Sequence, residues 1–369
     1  MASKVELMFG RGHIAVDIGP GVEVVVVEKP PMDLLPDPSL AVQHSIDNPA
    51  PVTAGGAGLP PLKEFAQGKQ TACILICDIT RPVPNGLTLP VLVRALLDGG
   101  VPASGITVLV ATGLHRPNEG PELTELIGDA WVEETVTCVN HYAREDADHV
   151  HVGTTTRGTV VRLDQRFVDA EIRIATGLVE PHFMAGYSGG RKVIAPGIAH
   201  AETITTFHSA RFMEDPKAVE GNLDGNPLHL DQLEIVAMLD TPENPVLGLN
   251  VVIDDQRRLA FVSYGGIVPS HESAVDYVRD YAVVPVASAH LFSRNFTTSG
   301  FPASSLTRDC AYSVQAGPRF STVVTSSAGY PLDKTYYQTV KGMVTCLGIL
   351  EPGGDVIIVS GQFYTDFMI

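Results

Sequence analysis

Thr71-Ala72-Cys73-Ile74-Leu75-Ile76-Cys77-Asp78-Ile79-Thr80-Arg81-Pro82-Val83-Pro84-Asn85-Gly86 decides the fold. Residues 71–77 carry no charge and run straight into an aspartate, an arginine and two prolines. A short apolar run bounded by turn residues reads as a strand buried on both faces. A helix is expected over about residues 89–97, closed by Gly99-Gly100. The same unit returns further on. Residues 106–111 read as a strand that ends at Thr112-Gly113-Leu114-His115-Arg116-Pro117, with a helix over 122–127. Residues 135–139 and 171–178 are strand-like, and 201–212 reads as helix. Strands and helices alternating at this spacing predict an α/β fold with mostly parallel sheets and helices on both faces. Ligands bind such sheets outside the C-terminal ends of the strands, where each of these polar loops falls.

Outside this core the signals are plainer. Residues 22–27 read as a strand, and 28–62, rich in Pro, Asp and Gly, as an excursion with little regular structure. Residues 246–253 and 259–262 form a hairpin through Asp254-Asp255, followed by a helix over 271–281. A domain boundary is placed there, giving domains 1–275 and 276–369. Residues 320–325 and 355–359 read as strands of the second domain, with a helix through Gln338 and Lys341 between them.

The 369 residues include 42 acidic and 25 basic side chains, a formal charge of −17, which argues against a nucleic-acid binder. With 44% hydrophobic residues the chain can bury a sizeable core. Five cysteines without a Cys-x-x-Cys pair point to a reduced, cytoplasmic protein, with Cys73 and Cys77 as small core residues. No signal-peptide pattern opens the chain, and no apolar run reaches the ~20 residues of a membrane span.

Residues 179–208 concentrate the chemistry. Val179-Glu180-Pro181-His182 leads into Gly186-Tyr187-Ser188-Gly189-Gly190-Arg191-Lys192, and His208 follows. A lysine after a Gly-rich loop can be a phosphate clamp, a surface amine or a covalent anchor. Asp78 and Arg81 are held by the prolines around them, and arginine offers a planar fork for a carboxylate or phosphate. His115 and His182, each after a strand, suggest paired acid/base groups. Gly186-x-Ser188-x-Gly190 also fits the nucleophile elbow of serine hydrolases, but Pro181 interrupts the strand an elbow needs. His149-x-His151 has metal-ligand spacing, yet its acidic neighbours favour a solvated edge.

These motifs resemble the nickel-dependent lactate racemase family of 2-hydroxyacid racemases and epimerases. The resemblance covers about residues 70–212 and 320–358. It rests on Asp78-x-x-Arg81-Pro82-x-Pro84, Thr112-Gly113-x-His115-Arg116, Glu180-Pro181-His182, Ser188-Gly189-Gly190-Arg191-Lys192, His208, and Gly329-Tyr330-Pro331-Leu332-Asp333 with Tyr337-Gln338-x-x-Lys341. It implies two α/β domains with the active site in the cleft between them, the first binding the cofactor. That cofactor is a nickel pincer, pyridinium-3,5-bisthiocarboxylic acid mononucleotide, attached covalently to Lys192, with His208 as the protein's nickel ligand. His115 and His182 become the acid/base pair. Asp78, Arg81, Ser188, Gly189 and Gly190 line the cofactor, and Arg81, Gln338 and Lys341 hold the substrate. The implied reaction is reversible hydride transfer from a small 2-hydroxy acid, and maturation needs proteins that build the cofactor. Against the family pattern, residues 288–319 look like extra sequence and the second domain is shortened or altered. A non-catalytic protein binding a nucleotide-like anion on the same fold is the alternative.

Overall fold

The computed structural model describes residues 3–27, 30–53, 56, 58–282, 290–291 and 319–361. The expected extra sequence at 288–319 falls almost wholly outside them. The chain divides into two units. One comprises Met32–Val219 with Leu223–Val278, and the other Met1–Pro31, Glu220–Asn222 and Arg279–Ile369.

In the larger unit the opening stretch forms β1 (Ala72–Cys77). It is joined by β2 (Ile106–Ala111), β3 (Thr137–Asn140), β4 (Ile172–Leu178), β5 (Val246–Ile253) and β6 (Leu259–Gly266). Their order in the sheet is β6-β5-β4-β1-β2-β3. All neighbours run parallel except β6, which returns antiparallel on β5. From β1 the chain winds outward through β2 and β3, then crosses back to lay β4 on the other side of β1. The gap between β1 and β4 is therefore the topological switch point.

Both faces of β1 are buried, which is why its sequence shows no polar alternation. Ala72, Ile74 and Ile76 pack with Leu89, Leu92, Val93 and Leu96 of α1 (Asn85–Asp98). Cys73 and Leu75 turn to the opposite cluster. There they meet Ile194 of α2 (Arg191–Ile194), Ile204 and Phe207 of α3 (Ala201–Phe207), and Ile235 of α4 (Pro227–Leu239). Among the elements without a clear sequence signal are two helices of this unit. Pro38–Asp47 is a helix, started by the Asp37 carboxylate accepting the Leu40 N–H at 3.0 Å with Pro38 in the first turn. The α4 helix begins at Asn226, whose side chain caps the N–H groups of Leu228 and His229 and also donates to Met184 O at 2.9 Å. It was missed because it is apolar around much of its girth, so no stripe stands out.

In the smaller unit Phe320–Ser326 and Leu350–Val359 pair in parallel, connected by α5 (Tyr336–Thr345). Asp333 is buried and accepts N–H bonds from Gly10 and Gly361 at 2.7 and 2.8 Å. This pins the N-terminal hairpin Ser3–Phe9/Gly12–Ile18 to the parallel pair. The strand expected over 22–27 shrinks to Val25–Val26.

Candidate active site at the switch point

Three loops leaving β1, β2 and β4 carry the polar residues singled out in the sequence. Asp78, directly after β1, is buried, accepts the Thr80 hydroxyl at 2.6 Å and lies 2.6 Å from His115 Nδ1. Burial works against its charge, but His115, Thr80 and Arg81 outweigh burial and hold the carboxyl below its usual range. A carboxylate on Nδ1 fixes the proton there and leaves the lone pair on His115 Nε2. Asp78 thereby orients the first histidine.

His182 has the opposite arrangement. It is buried, stacks on Phe183 at 4.9 Å, and its Nδ1 accepts the backbone N–H groups of Met184 and Ala185 at 3.3 and 3.2 Å. The neutral ring then carries its proton on Nε2. The two imidazoles thus carry their protons on different nitrogens, Nδ1 in His115 and Nε2 in His182.

Arg81 forms an ion pair with Glu180. The arginine side chain is 11% exposed and the glutamate 31%. The sequence flagged Glu180 by position but assigned it no role. Its signal was Pro181, which fixes the chain between Glu180 and His182.

The Gly-rich loop departs from expectation. The Ser188 hydroxyl is buried, donating to Leu178 O at 2.8 Å and accepting the Glu180 N–H at 3.0 Å. It is therefore engaged by the loop's own backbone and not set up as a hydrolase nucleophile. Gly189 and Gly190 have φ of +76° and +49°. A Cβ on Gly190 would meet His271 Cγ at 2.8 Å, and one on Gly189 would meet Val179 Cγ2 at 2.7 Å. These glycines let the loop press against its own scaffold. Arg191, fully buried, donates to Tyr187 O and Ala185 O at 3.2 and 2.9 Å, tying the His182 hairpin to α2.

Lys192, the second residue of α2, is half-buried, and its amine makes no hydrogen bond or ion pair with the described residues. Removal from water, then the Arg81 charge, bring its pKa down to about 7, with Arg191 acting the same way. His208 caps α3 and is exposed at its outer edge. Its Nδ1 donates to Ile204 O at 3.0 Å, so the lone pair lies on Nε2. Desolvation of its inner side lowers its pKa, as do the charges of Lys192 and His115. Cys73 is a core residue as expected, whereas the Cys77 thiol sits at the border of this site, its pKa raised to about 11 by burial and touched by the charges of Arg81, Asp78 and Lys192.

The remaining expectations lie elsewhere. Gln338 and Lys341 belong to the smaller unit. Gln338 is buried in the first turn of α5, and its Oε1 has no hydrogen-bond partner among the described residues. His149 is buried with its Nε2 3.0 Å from His141 Nε2, so the solvated edge assigned to it is corrected; His151 is exposed. Among the described residues no group of three or more His, Cys, Asp or Glu side chains could hold a metal, and no helix is long and apolar enough to cross a membrane.

Fold and site together define a doubly wound α/β protein with a polar site at its switch point. The family model of the lactate racemase N-terminal domain matches residues 9–221, and that of the lactate racemase C-terminal domain matches residues 318–363. The chain belongs to the lactate racemase family. It is 32% identical over 320 residues to the lactate racemase of Lactiplantibacillus plantarum, covering 87% of this chain and 65% of that one. With the lactate racemase of Thermoanaerobacterium thermosaccharolyticum it shares 31% over 319 residues, covering 86% of this chain and 65% of the relative. The chain thus spans about two thirds of the length of these relatives. The solved structure of the lactate racemase apoprotein from the latter organism superposes with a TM-score of 0.73 at 28% identity, covering 97% of this chain and 74% of that one.

Proposed function

We propose that this protein racemises or epimerises a small 2-hydroxy acid of the lactate kind, using a nickel pincer group anchored on Lys192. Lys192 and His208 carry this reading. An amine that is about half neutral at pH 7 can form an amide-type bond, which a protonated lysine cannot. A histidine whose other nitrogen donates to a carbonyl is oriented as metal ligands are. The described residues offer no cluster of metal ligands around it. With His208 as the protein's ligand, a non-protein group with soft sulfur donors suits nickel. When bound, that group supplies the hydride acceptor and donor.

The chain's own residues do the rest. Arg81 faces the substrate carboxylate. His115 takes the hydroxyl proton at Nε2 and returns it, while Asp78 keeps the ring in register and stabilises the imidazolium. His182 offers Nε2–H to the substrate oxygen from a second segment. The two amides on its Nδ1 favour the neutral donor. Each such group typically contributes ~10²–10⁴-fold. Loading Lys192 requires the proteins that build the group, in a cytoplasmic setting.

Enantiopure L-lactate incubated in D₂O with protein produced alongside the cofactor-building enzymes tests this reading. The expected result is racemic lactate without deuterium at Cα, because the hydrogen moves as hydride. Deuterium at Cα would show proton abstraction instead and refute the scheme. A complete lack of turnover would favour the anion-binding alternative.

A further inference from the structure

Glu180 has no place in the chemistry above, yet its position is built with care. Its N–H is accepted by Ser188 Oγ at 3.0 Å and its carbonyl accepts the Ser188 N–H at 2.9 Å, so the backbone is held from both sides. Pro181 follows and restricts it further. Arg81 is fixed as well, its N–H donating to Asp78 O at 3.1 Å and its carbonyl accepting the Val83 N–H at 2.8 Å. The ion pair between them joins the ends of β1 and β4 across the switch point. Glu180 is the only acceptor that engages the Arg81 guanidinium among the described residues.

We propose that Glu180 is an internal competitor for Arg81, a positioning residue that weakens the hold on the substrate carboxylate. The inference rests on the assignment of Arg81 to that carboxylate. A 2-hydroxy acid arriving at Arg81 meets a guanidinium already neutralised by a carboxylate of the same chemistry. The pair's exposure is asymmetric. Arg81 is nearly enclosed, so an unpaired charge there would be costly and would grip any anion tightly. Glu180 keeps about a third of its surface in water, so it can yield the guanidinium without being left buried and charged. Exchange of one carboxylate for another keeps Arg81 paired throughout. A racemase gains from this, because substrate and product carry the same carboxylate and both must leave.

The test compares Glu180→Gln, which keeps shape but removes charge, with Glu180→Asp, which keeps charge. In the loaded enzyme, KM for both lactate enantiomers should fall about tenfold in Glu180→Gln, the change that ~1.4 kcal/mol of charge coupling produces, with no rise in kcat. Glu180→Asp should stay close to wild type. Lactate binding to the apoprotein, measured by calorimetry, should tighten about tenfold in Glu180→Gln and vanish in Arg81→Gln. Unchanged or weaker binding in Glu180→Gln would overturn the proposal. So would loss of kcat at constant KM, which would make Glu180 a participant in the chemistry. If the loaded wild type fails to racemise lactate, the functional reading falls, and the apoprotein binding still decides whether Glu180 competes for Arg81.

Discussion

Lys192 should titrate near pH 7, and this can be measured in the apoprotein without any cofactor. Its pKa comes down from 10.5 to about 7, a difference of about 3.5. At pH 7 about half the Lys192 amines are then neutral, against roughly one in 3,000 for a lysine at the ordinary value. Burial is the main cause and Arg81 the next, so Arg81→Gln should raise the midpoint. Reductive methylation with [¹³C]formaldehyde labels the amine, and Lys192→Arg identifies its methyl resonance. The expected titration midpoint is near 7. A midpoint near 10 would refute the reasoning that the α2 site prepares a nucleophilic amine. The linkage sign follows. The folded-state value is the lower one, so between pH 7 and 10.5 the unfolded chain holds the extra proton. The Lys192 contribution to stability therefore rises with pH across that window, and Lys192→Met should flatten that part of the apoprotein's stability curve.

Other outcomes follow from the same geometry. Asp78→Asn should leave the fold intact but cut racemisation by about 10²–10⁴-fold, as steady-state rates of the loaded enzyme would show, because His115 loses the carboxylate that sets its proton. Near-normal turnover would mean that the dyad is structural only. His208→Ala should lose nickel by elemental analysis while the apoprotein melts as before; full nickel occupancy would defeat the ligand assignment. Gly190→Ala places a methyl 2.8 Å from His271 Cγ at a φ of +49°, so thermal denaturation should show a loss of about 1–3 kcal/mol.

Much of the fold was legible because the sheet advertises itself. The run 71–77 has no polar alternation because both faces of β1 are covered, and the polar loops after β1, β2 and β4 come together at the switch point. Residues without a local signal were misread. The α4 helix is apolar on several sides, and its cap at Asn226-Pro227 was overlooked. Pairings across the sheet have no sequence signature: Asp78 reaches His115 over 37 residues and Arg81 reaches Glu180 over 99. The pairings of Asp78 and Glu180 could not be read from spacing. The bonds of the Ser188 hydroxyl and the close packing at Gly189 and Gly190 also carry no sequence signal, because the same residue types serve ligand binding and self-packing. The proton positions on His115, His182 and His208 depend on which backbone or carboxylate atom each Nδ1 meets, which only folding sets.

The central claim is that Lys192 becomes a covalent anchor. Intact-mass measurement of wild type and Lys192→Arg, each produced alongside the cofactor-building enzymes, tests it most directly. Arginine keeps the charge but is too basic and delocalised to form the bond. The account predicts a mass increment on the wild type that is absent from Lys192→Arg. A wild-type protein that never gains mass, or a Lys192→Arg variant that gains the same increment, would contradict it.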